Sequence, residues 1–272
     1  SALDPKGPAA AALAELTWVM MFGAAAIFIV VIALACYAVY RDPDRRRRVP
    51  SSTFIIAGGV VFPAVVLSML LVYGVGLTGS LRASGAADAL HIHVRGHQFW
   101  WEVLYPGANA AERVATANEI RIPVGRAVVL SLTSADVVHS FWVPSLAGKL
   151  DLVPGKDNRL RLQASAAGVL RGQCAEYCGG PHAQMALYVV AMDEAAFDAW
   201  RAAQRRPAAV PAATPMAAGR ELFLANCAAC HTVRGTPAQG TLGPDLTHVG
   251  GRVSIGAGIL PNNRGALAGW IA

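Results

Sequence analysis

The stretch GQCAEYCGGPHAQM (172–185) places two thiols, an imidazole and a thioether close together: Cys174, Cys178, His182 and Met185. Three chemistries compete for such a set. Outside the cytoplasm a C-x-x-x-C pair can close as a disulfide. Zinc takes Cys and His tetrahedrally and rarely uses a thioether. Thiolate, imidazole and a weak axial Met together form the copper set. One-copper sites use one Cys; two Cys can bridge two coppers, each taking one His and one weaker ligand. Gly179, Gly180 and Pro181 make a tight loop that can turn the thiols and the imidazole towards one point. A second His is then required from an earlier strand. His139, at a strand start in SADVVHSFWVPSL, answers that need better than a hydrogen-bonded core histidine would.

A second constellation is CAACH (227–231). In C-x-x-C-H the two thiols, Cys227 and Cys230, add to haem vinyl groups, and the adjacent imidazole, His231, becomes the proximal iron ligand. A thioredoxin-like redox pair would need a βαβ context, which is missing. His91 and His93 alternate on one strand and read as an exposed polar face. His97 is given no ligand role. Cys36, inside an apolar run, reads as a buried, inert thiol.

The elements that must position these groups differ along the chain. Hydrophobic residues make up 54% and charged residues 15% of the 272. The runs Thr17 to Tyr40 and Thr53 to Leu77 carry no charge, and a membrane-spanning helix needs about 20 such residues. RDPDRRRR (41–48) lies between them and holds half of the net charge of +6. No basic face interleaved with aromatics remains elsewhere, which excludes nucleic-acid binding. The positive-inside rule puts this loop in the cytoplasm and everything after about residue 80 outside, which in a bacterium is the periplasm. From Leu90 to Asp193 short alternating strands separated by Gly, Pro, Asn and Asp predict an all-β sandwich or barrel. DEAAFDAWRAAQRR (193–206) predicts an amphipathic helix capped by Asp193, and a Pro/Ala linker follows. The expected organisation is an N-terminal segment (1–16), a hairpin (17–78, loop 41–50), a β domain (88–193), a helix and linker (194–216), and part of a small helical domain (217–272).

VVHSFWVPSL, KLDLVPGKDN and GQCAEYCGGPHAQM, in this order after a membrane hairpin and GHQFWWEVLYP, resemble subunit II of haem–copper cytochrome c oxidases. The resemblance covers about residues 1–195. It implies a cupredoxin-like Greek-key barrel holding the binuclear CuA centre. Cys174 and Cys178 then bridge the coppers, His139 and His182 ligate one each, and Met185 and the Glu176 carbonyl supply the weaker bonds. It also implies a Mg²⁺ or Mn²⁺ near Asp151 and the Glu176 side chain, at the subunit I interface. The quinol-oxidase branch lacks the copper ligands, so their presence points to the cytochrome c branch. Two positions depart from the family: Phe99 stands where a Trp usually receives electrons, and Ile56 stands where a proton-path Glu often lies. CAACH followed by GTLGPDL (240–246) is similar to class I cytochromes c, in which the Pro244 carbonyl orients the proximal His. That similarity covers 217–272, only part of such a domain. Every Met precedes Cys227, Met216 being the nearest, so the distal ligand is expected beyond Ala272, with His248 as the sole downstream candidate.

Taken together, the resemblance implies a two-pass protein of the bacterial inner membrane that carries electrons from cytochrome c or another donor, through haem c and CuA, to oxidase subunit I, with subunit III as a further partner. Oxygen is reduced in subunit I, which pumps protons; this chain has no complete O₂-reducing site. The alternatives are a free-standing CuA/haem shuttle and a nitrous-oxide-reductase-like CuA protein. The Pro/Ala linker further predicts a cytochrome region that swings rather than docks.

Overall fold

The computed structural model describes residues 2–42, 44, 51–83, 88–109, 112–209 and 214–272. They form two compact units, Ala12–Gly85 on one side and Ser1–Ala11 with Ala86–Ala272 on the other. Arg45 to Arg48, on which the expected sidedness rests, lie outside the described residues.

Helix α1 (Pro8–Tyr40) contains the first apolar run, and the second runs through the short α2 (Ser51–Ile56), a π-helical turn, Ala57–Val61, and helix α3 (Phe62–Ala83). Pro63 has no N–H to offer the preceding turn, and the widened turn just before it absorbs the mismatch. Leu13 and Leu16 of α1 and Leu70, Leu71 and Gly74 of α3 line a common groove. Phe22, Ile29, Leu67 and Met69 are exposed, as on a helix surrounded by hydrocarbon. Cys36 is exposed on α1, contrary to the expected buried thiol: the run is apolar all round, so burial within protein does not follow from its composition.

The second unit is built on β1 (Leu90–His97), β2 (Trp100–Tyr105), β3 (Val114–Ala117), β4 (Glu119–Pro123), β5 (Val128–Ser134), β6 (His139–Trp142), β7 (Leu150–Leu152), β8 (Asn158–Leu162), β9 (Gly168–Cys174) and β10 (Ala186–Met192). They form two five-stranded sheets, β3-β2-β1-β5-β8 and β4-β10-β9-β6-β7. The pairs β1·β5 and β4·β10 are parallel and the others antiparallel. In β1 alternation does the sorting: Leu90, Ile92 and Val94 are buried, while His91 and His93 are exposed, as expected. Ile120, Leu130, Phe141, Leu152 and Val189 join the core between the sheets.

Helix α4 (Glu194–Gln204) closes one end by burying Phe197. Tyr105 packs edge-on against Trp200 at 5.2 Å, and its hydroxyl donates to the Arg121 carbonyl at 2.9 Å. Burial drives the Tyr105 phenol well above the ordinary tyrosine range. Asp193 occupies the cap position, but its side chain makes no capping hydrogen bond. The start of the chain also belongs to this unit: Lys6 N–H donates to Ser145 O at 2.7 Å, and Ser165 N–H to Lys6 O at 2.7 Å.

After the linker come α5 (Thr214–Asn226), β11 (Ser254–Ile255), β12 (Leu260–Pro261) and α6 (Arg264–Ile271). This region does not swing free. Ala208 N–H donates to Arg234 O at 2.9 Å, Arg234 Nη2 to Gln204 O at 2.6 Å, and Ala186 N–H to Ala257 O at 2.9 Å. The expectation of an undocked cytochrome region fails because the end of α4 and Arg206–Ala208 supply backbone partners that a Pro/Ala composition does not advertise.

Candidate metal centre and haem-attachment site

Strand β6 begins at His139 and β9 ends at Cys174, and the two strands pair through Phe141 and Cys174. Register alone therefore brings the distant histidine beside the thiol loop. Cys174 Sγ lies 3.8 Å from Cys178 Sγ, far beyond the roughly 2.05 Å of a disulfide. An imidazole stands on either flank: His139 Nδ1 is 3.9 Å from Cys174 Sγ, and His182 Nδ1 is 3.5 Å from Cys178 Sγ. Met185 Sδ is 3.9 Å from Cys178 Sγ, and the Glu176 carbonyl is 3.2 Å from Cys174 Sγ. His139, both cysteines and Met185 are buried.

Partners not singled out in the sequence fix these donors. Asp136 Oδ1 lies 2.8 Å from His139 Nε2, leaving Nδ1 to face the sulfurs. The Gln98 backbone N–H donates to Asp136 Oδ2 at 2.7 Å, and its side-chain amide to Cys178 O at 2.7 Å. Such outer contacts orient metal-binding imidazoles. A Cβ on Gly96 would lie 2.8 Å from His139 Cδ2, so only glycine leaves the ring its place. Trp101 meets His139 edge-on at 6.0 Å.

The electrostatics separate the two thiols. Burial disfavours a Cys174 thiolate, but hydrogen bonds with His139, the backbone at Glu176 and Ser140, and Cys178 together outweigh it and bring the thiol down to about 6. Burial, reinforced by the Cys174 charge, pushes Cys178 up to about 12. For His139 burial acts against the imidazolium, yet contacts with Cys174 and Asp136 raise its pKa overall. Two sulfurs, two imidazoles and a thioether with no carboxylate among them suit copper better than a hard cation.

The two residues expected at a hard-cation site have partners of their own. Glu176 Oε2 faces Lys149 Nζ at 3.7 Å, and the Asp151 carbonyl accepts from Asn158 Nδ2 at 2.7 Å.

In the second constellation, Cys227 follows the end of α5, and His231 N–H donates to Cys227 O at 3.0 Å. His231 Nδ1 lies 2.8 Å from Pro244 O, which holds the ring by one edge. A Cβ on Gly243 would lie 2.5 Å from His231 Cε1, so this glycine lets the loop pass against the ring. Cys227 and His231 open onto a cavity of about 820 Å³ whose lining includes Phe223, Leu246, Ile259 and Trp270. Arg252 also lines it; burial lowers its pKa, and its buried Nε has no hydrogen-bond partner. An apolar hollow lined by Cys227, an oriented imidazole and one partly buried guanidinium fits a haem with its carboxylates; Cys230, the second thiol of the pair, is exposed and outside the lining. Met216 and His248 are not in the lining; His248 Nε2 instead meets Arg206 O at 2.9 Å. Phe99 and Trp100, with Pro181 and Gln184 of the thiol loop, form part of the same wall.

Comparison with known proteins follows the same division. Residues 108–192 match the family described as cytochrome C oxidase subunit II, periplasmic domain, and residues 216–264 match cytochrome c. The chain is 35% identical over 285 residues to cytochrome c oxidase subunit 2 of Alkalihalophilus pseudofirmus, covering 100% of this chain and 81% of that one. The protein of the same name from Bacillus sp. (strain PS3) is 34% identical over 190 residues, covering 66% of this chain and 52% of its own length. Among solved structures, the periplasmic domain of subunit II of cytochrome oxidase from Bradyrhizobium japonicum is 28% identical with a TM-score of 0.41, over 44% of this chain and 96% of that one.

Proposed function

Because this chain belongs to the cytochrome c oxidase subunit 2 family, we propose that it is the electron-accepting subunit of a membrane-bound haem–copper oxidase, carrying a binuclear CuA centre and a haem c. The observation that carries the copper reading is the thiol pair at 3.8 Å with one imidazole on each flank. Cys174, Cys178, His139 and His182 would hold the copper as its main ligands, with Met185 and the Glu176 carbonyl as the weaker ones. Cys227 and Cys230 attach the haem, His231 is its axial ligand, and Pro244 orients that ring. Bound in this way, the two groups supply one-electron carriers between a periplasmic donor and subunit I, where O₂ is reduced and protons are pumped. The protein's own part is to hold the donors still, so that little rearranges when charge arrives, and to exclude water from the sulfurs.

The two apolar helices and the periplasmic-domain match support a two-pass anchor in the bacterial inner membrane, beside subunits I and III. Lys6 and Ala10 are hydrogen-bonded to the barrel, which supports a start of the chain on the barrel's side. A Mg²⁺ or Mn²⁺ at Asp151 and Glu176 would have to compete with Lys149, which faces Glu176 at 3.7 Å.

The full chain in detergent should hold two copper ions sharing one unpaired electron by paramagnetic resonance. Cys178→Ser should abolish that shared signal. A one-copper spectrum, or a Cys174–Cys178 disulfide in metal-loaded protein, would sink the reading.

A further inference from the structure

Strand β4 is the edge of its sheet, and its side chains divide by alternation. Ile120 and Ile122 enter the core, while Glu119 and Arg121 point to the face where charges ordinarily meet water. Glu119 is nevertheless only 3% exposed. Its two oxygens are used separately: Oε1 accepts from Arg121 Nε at 2.7 Å, and Oε2 accepts from the Val253 backbone N–H at 2.6 Å. Arg121 Nη2 donates to Gly251 O at 2.8 Å, and its guanidinium lies 5.3 Å from the Trp200 ring. Two side chains at i, i+2 on β4 thus grip the residues on either side of Arg252, which itself lines the haem cavity. Beyond them, Ala186 N–H meets Ala257 O at 2.9 Å, next to Met185. A buried carboxylate is costly unless both oxygens are bonded, so this grip tolerates one pose and penalises others.

We infer that Glu119 and Arg121 are positioning residues that clamp the haem-attachment region onto the barrel and fix the haem cavity against the thiol loop. The clamp stands on geometry alone; its consequence for electron transfer rests on the function proposed above. In that step one electron leaves the chain's ferrous haem and one reaches the oxidised copper pair, with no bond or proton exchanged. A fixed pose makes the step independent of domain motion.

The test uses the full chain loaded with copper and haem. Amide hydrogen exchange at Val253 should be slow in the wild type and at least tenfold faster in Glu119→Ala. Glu119→Gln, which keeps an acceptor for that N–H, should restore most of the protection. Laser-triggered haem-to-copper transfer should be unaffected by added viscogen in the wild type. In Glu119→Ala it should slow at least tenfold and become viscosity-dependent, with an unchanged copper signal showing that the barrel is intact. Should Glu119→Ala fail to fold, the wild-type viscosity result and Arg121→Lys, expected to give intermediate Val253 exchange, decide instead. Fast Val253 exchange in the wild type, a viscosity-limited wild-type rate, or a Glu119→Ala protein indistinguishable from wild type overturns the clamp. If no electron passes in any variant, the proposed function falls, while Val253 exchange still judges the clamp.

Discussion

The two thiol-bearing sites are organised on different principles. At the thiol loop His139, Cys174, Cys178 and Met185 are buried, and a strand register, Asp136 and Gln98 hold the set. At CAACH, Cys230 is exposed and Cys227 half-buried, and the organisers are local: one turn and the Gly243–Pro244 loop. Behind that turn lies an apolar hollow of about 820 Å³. The first site is part of a hydrophobic core that already exists. On the proposed reading the second is a shell whose core a haem would complete, so ligand and fold would be thermodynamically linked there.

The largest test of this contrast removes both attachment points. Cys227→Ser with Cys230→Ser should leave no haem stain on a denaturing gel. It should also strip exchange protection from residues 214–272 while β1–β10 keep theirs. A barrel that loosens equally would erase the distinction. A smaller effect should come from Gly96→Ala, where the new Cβ would meet the His139 ring at 2.8 Å. Overpacking of this kind costs about 1–3 kcal/mol. The melting temperature of the metal-free protein should fall, and copper loading should give a disturbed spectrum. An unchanged melt and spectrum would mean that the ring is less confined than its neighbours imply.

The smallest effect is graded with pH. Cys174 ionises at about 6, whereas Cys178 keeps its proton to about 12. Copper binding at about pH 7–9 therefore displaces one thiol proton, and apparent affinity should rise about tenfold per pH unit. Below about 6 Cys174 must also lose a proton, and His139, whose charged form is favoured, adds to the slope as pH falls. Calorimetric copper titrations in buffers of different ionisation enthalpy would count these protons; a pH-independent affinity would contradict the assigned order of the thiols.

Much of this was legible in the sequence because it is periodic or local. The alternation in β1, the turn residues of the thiol loop and C-x-x-C-H each carry their own signal. Strands β3 and β7 carry no such signal, because VATA and LDL are too short to show alternation. Asp136 was missed because its role depends on which way the His139 ring faces; its place three residues before the histidine was the available hint. The docking of the cytochrome region was misread for a related reason. Alanine and proline describe how a linker behaves in isolation, whereas Glu119 and Val253 meet only in the folded chain. Even there a hint existed: a Glu beside an Ile-rich strand needs a partner, and none stood nearby except Arg121.

The parallel pairing of β4 with β10 sets Glu119 beside Tyr188, across most of the barrel's chain. Contacts of such long sequence separation form late, because the intervening loop must close first. His139 leaves the ribosome well before the cysteines, and Met185 directly precedes β10, a strand that pairs with an edge made far earlier. The centre therefore draws on strand pairings of long sequence separation. A metal delivered during synthesis would find scattered donors, and a nascent chain cut off before β10 would carry both cysteines, both histidines and Met185 but lack the strand that β9 pairs with.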